Sequence, residues 1–421
     1  MRTKRVFPSV AAAYLARWLA SIAPGVVELK LQLFVTSSAP SQQLALQPFL
    51  ASSKMVKTLD LNSVHLLPAD LALVGLLTML TTLRCECFLP GHTQPLSSLA
   101  TLSRLRQLDL TILTTASGAQ LPSSLSALTG LQALNLCCRA SAIDWESPVP
   151  RLQLPQEWCQ AATQVTSVRL DFVDLPGIGG RSRDSVMFPA MQDLELVSPS
   201  DPIGEALACC KALQALKVDS ACFEMTSWAA LSALPQLGRL IVLNCMMANV
   251  DEDEEFRPVP ESLSALTSLT YLYLHASGIL PAIPQLPALQ HAELVRCEIS
   301  SGAAAGWPLP EGPWLNNLVA LRIEEAEVGS VEAALRQATR LSTLELEQCP
   351  YMKLTQEELP LLLRLPLKLL VLDKRPEYDY PEPLWDEESI RVAEELRKAL
   401  ALRECEVEFD IFTKDSLPMP C

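Results

Sequence analysis

One short pattern of apolar and polar positions recurs along almost the whole chain: an aliphatic residue, two variable positions, leucine, one variable position, then leucine or valine. It occupies Val26–Leu31, Val56–Leu61, Leu80–Cys85, Leu105–Leu110, Leu131–Leu136, Val165–Leu170 and Met191–Leu196. It continues in Leu213–Val218, Leu237–Val242, Leu269–Leu274, Leu289–Leu294, Leu318–Ile323, Leu341–Leu346 and Leu367–Leu372, and closes in a degenerate copy, Leu402–Val407. Side chains alternate faces along a strand, so the pattern predicts short strands with leucines inward and variable residues outward. Between the central residues Leu29 and Cys405 lie 14 intervals over 376 residues, a mean step of about 27.

The segments between the strands carry leucines of their own. Leu121–Leu131 and Val259–Leu269 share a Pro-Ser/Glu-Ser-Leu-Ser-Ala-Leu-Thr text, in which proline at an early position and serine as a cap predict a short helix or 3₁₀ turn. Departures from the period predict loops. The interval from Leu134 to Val168 holds Trp145 and Trp158, and that from Leu240 to Leu272 holds the acidic run Asp251–Glu255. The copy at Ala292 comes early and has alanine where leucine is expected, and Gly302–Trp314 is rich in Gly, Pro and Trp. Near the start, Leu15, Trp18, Leu19 and Ile22 fall on one helical face, which predicts a capping helix; the alternative for the basic Met1–Arg5 and the apolar Val6–Ala13 is a targeting peptide. After the linker Arg375–Trp385 a helix is expected over 386–402, acidic at its start and with Arg397 and Lys398 near its end.

On these copies the chain resembles leucine-rich-repeat proteins over nearly its full length. The resemblance implies an α/β solenoid, a curved horseshoe with a parallel β-sheet on its concave face and short helices or 3₁₀ turns on its convex face. A stack of this kind grows by repetition, so its length does not imply several domains. The expected organisation is a capping helix at 1–25, a solenoid of about 14 repeats at 26–374, and a linker, capping helix, degenerate strand and tail at 375–421. Cys245, Cys297 and Cys349 stand three positions after their strands. They resemble the cysteine-containing subtype found in F-box substrate receptors of ubiquitin ligases, as does the Tyr14–Ala23 stretch, with no F-box recognised among the residues ahead of it. Their expected role is as buried thiols that satisfy backbone groups where the strand turns.

Composition narrows the partner. The 33 basic and 48 acidic residues give a net charge of −15, which disfavours nucleic acid and anionic membranes. No apolar run reaches the roughly 18 residues a membrane span needs. Thirteen cysteines, an odd number without paired Cys-x-x-Cys spacing, and six asparagines that start no glycosylation sequon point to an intracellular, cytoplasmic protein with reduced thiols. Nuclear, cytoskeletal or axonemal placement fits as well.

Catalytic signatures are missing. His65, His92, His275 and His291 have no metal-ligand spacing, Gly177–Gly180 lacks the residues of a phosphate loop, and the acidic run lacks the glycine and spacing of a calcium loop. No cofactor, metal or enzymatic activity is expected. Attention turns to the outward column, which runs Lys30, Asp60, Arg84, Asp109, Asn135, Arg169, Glu195, Lys217, Ile241, Tyr273, Glu293, Arg322, Glu345, Val371 and Glu406. Its alternating charges suit pairing between neighbouring strands. One region departs from this: Arg239, Ile241 and Leu243, then Tyr271, Tyr273 and His275, then His291, Glu293 and Val295, with Arg322 beyond them, form an aromatic, apolar and cationic patch suited to a protein partner. The expected function is a non-catalytic protein-binding scaffold. One use is substrate recognition for a ubiquitin ligase through its adaptor; the other is a cytoskeletal, axonemal or phosphatase-regulating adaptor.

Overall fold

The computed structural model describes residues 17–31, 46–89, 92–114, 119–140, 150–175, 187–199, 207–219, 230–243, 261–275, 283–297, 307–326, 328–349, 354–373 and 387–410. Leu15, Trp145, Gly177–Gly180, Cys245, the acidic run Asp251–Glu255 and the linker Arg375–Trp385 lie outside them. The chain divides into two compact units, Met1–Leu213 and Gln214–Cys421.

In the first unit the strands β1 (Glu28–Lys30), β2 (Thr58–Leu66), β3 (Thr82–Phe88), β4 (Gln107–Thr114), β5 (Ala133–Ala140), β6 (Ser167–Asp171) and β7 (Asp193–Val197) pair in parallel, each with the next. In the second, β8 (Ala215–Asp219), β9 (Arg239–Leu243), β10 (Tyr271–His275), β11 (His291–Val295), β12 (Ala320–Glu324), β13 (Thr343–Glu347), β14 (Leu369–Asp373) and β15 (Glu406–Asp410) do the same. The fold is the α/β leucine-rich-repeat solenoid. Burial alternates along the repeat pattern, as on β10: Leu272 and Leu274 are buried while Tyr271, Tyr273 and His275 are half-buried on the other face. A backbone device recurs at the strand starts. One carbonyl accepts from two successive N–H groups of the next repeat, as Gly238 does from Thr270 and Tyr271 at 2.8 and 3.0 Å, and Thr270 does from Gln290 and His291 at 2.9 and 3.0 Å.

The return side is built from short pieces. Ser123–Ala127 and Glu261–Ala265 are 3₁₀ turns in the two return segments expected to form them, and Leu125 and Leu263 fill the core beneath. Proline here precedes the turn: Pro122 occupies the N-cap position, without a side-chain cap. The interval expected to be a loop between Leu134 and Val168 contains a helix, Gln156–Ala161, whose Trp158 is fully buried. Helix Pro68–Val74 packs so closely on the 3₁₀ helix Gln94–Thr101 that a Cβ at Gly75 would stand 2.5 Å from the Ser98 carbonyl oxygen.

Strand ends share a feature invisible in the repeat pattern. Phe172, Ser198, Arg296, Glu325 and Gln348, each four residues past the central position, adopt φ between 48° and 52°. This left-handed turn drops the next residue into the core, and in two repeats that residue is cysteine. The Cys297 thiol meets the carbonyls of Leu274 and Val295 at 3.5 and 3.4 Å, and the Cys349 thiol those of Ile323 and Glu347 at 3.8 and 3.5 Å. The thiols therefore serve the backbone at the turn, as expected.

Two terminal expectations need correction. Trp18 is 44% exposed while Leu19 and Ala23 are fully buried, so the first helix turns a narrower face inward than Trp18, Leu19 and Ile22 together would require. At the other end helix Glu387–Ala401 buries Val392, Ala393, Leu396 and Leu400, and Leu402, taken as the first inward position of the last copy, is 89% exposed. The chain turns through Glu404, at φ 58°, before entering β15. Val407, and not Cys405, therefore stands opposite Leu370, and Glu408, not Glu406, is in register with Val371.

Candidate protein-binding face

The outward column begins as a charge ladder. In the first unit Arg84 lies between Asp60 and Asp109 at 3.9 and 3.7 Å, Asn135 donates to Asp109 at 2.9 Å, and Arg169 meets Glu195 at 3.3 Å. Strands about 4.8 Å apart bring opposite charges of one column within reach, and the more exposed of these pairs, Arg169–Glu195, adds little stability. Burial raises the Asp109 pKa, against the lowering effect of the Asn135 hydrogen bond and of Arg84.

The second unit breaks the ladder where the sequence does. Strand register sets Arg239 beside Tyr271 and Tyr271 beside His291, with Ile241 beside Tyr273 and Tyr273 beside Glu293. The Arg239 guanidinium lies 4.6 Å from the centre of the Tyr271 ring, a cation–π contact, and the His291 ring is 6.2 Å from it on the other side, tilted by 34°. The Tyr271 hydroxyl donates to Glu293 Oε1 at 2.6 Å. Tyr271 is thus held on three sides. Burial, with the neighbouring Glu293 adding to it, pushes its pKa up to about 12, so it stays a hydrogen-bond donor at physiological pH.

Tyr273 differs. Its hydroxyl makes no hydrogen bond among the described residues, and burial, followed by Glu293 and Glu324, raises its pKa as well. Leu243 stands opposite Asp219, and His275 opposite Val295, which completes the next row.

Arg322 does not join the aromatic cluster. It faces Glu293 in register, and its guanidinium reaches Glu324 at 2.9 Å, Glu347 at 3.3 Å and Glu345 at 3.7 Å. Burial works to lower its pKa, but the three carboxylates outweigh it and hold the group protonated. The patch therefore has an aromatic part on β9–β11 and an ionic part on β12 and β13. Between them lies a depression of about 140 Å³, lined by His291, Glu293, Ala320, Arg322, Thr343 and Glu345. Ala320 stands in register between His291 and Thr343, and its single methyl leaves the space that a longer side chain would occupy.

Sequence reasoning placed the aromatic part, Glu293 and Arg322 in the patch but passed over Ala320, Thr343 and Glu345 as site residues. The available signal was lateral: a small outward residue between two larger ones, visible only when neighbouring copies are aligned strand by strand.

Among the described residues no group of three or more His, Cys, Asp or Glu side chains is placed to hold a metal ion, and no helix is long and apolar enough to cross a membrane.

No family model matches the chain, and no curated protein matches it. Among solved structures, an internalin of Listeria monocytogenes is 14% identical, over 80% of this chain and 93% of its own, with a TM-score of 0.47. A leucine-rich-repeat protein of Leptospira interrogans is 18% identical, over 93% of this chain and 98% of its own, with a TM-score of 0.48. The plant peptide hormone receptor RGFR1, in complex with RGF2, is 16% identical over 77% of this chain and 49% of its own, with a TM-score of 0.46. These overlaps are partial, and the leucine-rich-repeat fold rests on the chain's own strand registers and alternating burial.

Proposed function

We propose that this chain is a non-catalytic protein-interaction scaffold, and that its partner docks on the open face of strands β9–β12, against Arg239, Ile241, Leu243, Tyr271, Tyr273, His275, His291 and Arg322. The observation that carries the reading is the stacked Arg239–Tyr271–His291 cluster beside a Tyr273 hydroxyl that makes no hydrogen bond among the described residues. A tyrosine already held by its neighbours loses little conformational freedom on binding, and tyrosine with arginine supplies contact area that carries its own polar groups. Elsewhere on the outward column charges satisfy one another, which leaves less to offer a partner.

Within this role, the buried turn cysteines and their resemblance to F-box receptors favour substrate recognition for a ubiquitin ligase. The second use is a cytoskeletal, axonemal or phosphatase-regulating adaptor in the cytoplasm. Affinity purification of the wild type beside Tyr273→Asp, read by mass spectrometry, separates these readings. A cullin and its adaptor with the wild type support the ligase role; cytoskeletal or phosphatase subunits, lost with the variant, support the adaptor. A partner set unchanged by the variant overturns the open-face reading.

A further inference from the structure

We propose that the depression at Ala320 receives a cationic side chain, lysine or arginine, carried on an extended segment of the protein partner whose apolar neighbours lie on Ile241 and Tyr273. The inference rests on the open-face reading and names the chemistry of what that face takes.

Three observations converge on it. The first is shape. The depression of about 140 Å³ exists because Ala320 stands between His291 and Thr343, so it is built into the register of β11, β12 and β13. A space near 150 Å³ accommodates a group of roughly benzene size, which suits the end of one long side chain.

The second is charge. Arg322 is the cation on the wall, and Glu324, Glu345 and Glu347 surround it within 3.7 Å, with Glu293 opposite in register. Of these, Glu293 and Glu345 line the depression with Arg322, so two carboxylates face one guanidinium there and the wall stays negative, while Glu324 and Glu347 engage the same guanidinium from outside it. Burial raises the Glu345 pKa despite Arg322, meaning that its charged form is poorly solvated and stands to gain from a second cation. The chain's net charge of −15 acts in the same direction at long range, drawing basic segments toward it.

The third is the unequal state of the two tyrosines. Tyr271 spends its hydroxyl on Glu293, whereas that of Tyr273, next to Glu293 in register, makes no hydrogen bond among the described residues. It stands at the apolar edge, with Ile241 on its other side, where a passing backbone carbonyl can accept from it. An apolar stretch over Ile241 and Tyr273 then leads its basic side chain across Glu293 into the depression. An anionic segment would instead seek Arg239 and His291, but Arg239 already lies on the Tyr271 ring and His291 shares the depression wall with Glu293 and Glu345.

The test is an unbiased display library of short random peptides selected on the full-length chain. Selected peptides are then titrated against the wild type, Tyr273→Ala and Ala320→Leu. Ala320→Leu fills the depression without altering charge at an outward, half-buried position, and a thermal melt confirms that each variant is folded. The expected result is peptides enriched in lysine or arginine beside apolar residues, weakened about tenfold or more by either substitution and by rising salt. Peptides that need Tyr273 but are acidic or uncharged, or that ignore Ala320→Leu, overturn the cationic-pocket inference and leave the open-face reading standing. Peptides indifferent to Tyr273→Ala, or a failure to select any, overturn both.

Discussion

Adjacent residues on β10 provide a sharp test of register, because Leu272 and Tyr273 differ by one position and by which side of the sheet they face. Leu272 is fully buried, opposite Leu240 on one side and Ala292 on the other. Leu272→Ala removes apolar groups worth about 0.8 kcal/mol per methylene, or roughly 2.4 kcal/mol for three, before any cavity cost. Ala292 has no long side chain to swing into the gap, so the site collapses poorly and the total should reach about 3–4 kcal/mol. Tyr273→Asp changes a half-buried outward residue and should cost about 1 kcal/mol or less. Urea unfolding followed by circular dichroism and by the fluorescence of Trp314, buried in the same unit, reads both costs as midpoint shifts. If Tyr273→Asp costs as much as Leu272→Ala, the face assignment is wrong and the proposed binding surface goes with it.

Other parts of the chain give independent checks. Gly75→Ala places a methyl against the Ser98 carbonyl and should destabilise the first unit by about 1–3 kcal/mol, measured as a lowered melting temperature; an unchanged melt would mean the two helices are not packed this closely. Glu358 is buried, with a pKa raised first by burial, and its Oε2 accepts from the Thr355 N–H at 3.1 Å. A carboxyl whose folded pKa is raised costs nothing while it is protonated in both states, and begins to cost stability as pH rises through its unfolded value near 4.5. Glu358→Gln, which keeps an acceptor for Thr355, should therefore melt higher than the wild type at pH 7 and lose that advantage in acid; an advantage independent of pH would refute the burial argument. Burial pushes the thiols of Cys87 and Cys159 up to about 12, so alkylation at pH 8 should spare both until denaturant is added, as peptide mapping would show. Rapid labelling of either in the folded protein would contradict its placement in the core.

Fifteen strands were legible because each copy alternates aliphatic and variable residues, and only one face of a short strand can take leucine without exposing it. The turn cysteines were legible for a related reason, since a small buried donor is needed where backbone groups lose their strand partners. What escaped the sequence was set by neighbours. Leu402 fits the repeat text as well as any leucine, yet the preceding helix spends its own apolar face on the core and the chain re-enters the sheet two residues later than the pattern suggests. Trp158 looked like loop text because its helix is only six residues long, too short for a 3.6-residue period to stand out. The aromatic half of the candidate face was visible as three consecutive copies with unusual outward residues. The Ala320 depression was not, because it is defined by the difference between a residue and its partners one repeat away on either side.

The central claim is that a protein partner sits on the open face of the second unit, and photocrosslinking from chosen positions tests it most directly. A photoreactive phenylalanine analogue at Tyr273 is compared with one at Arg336, an exposed residue on helix Glu332–Gln337. The account predicts that illumination in cells joins the Tyr273 position, and not the Arg336 position, to a discrete protein partner. A partner captured from Arg336 alone, or equally from both positions, would contradict it.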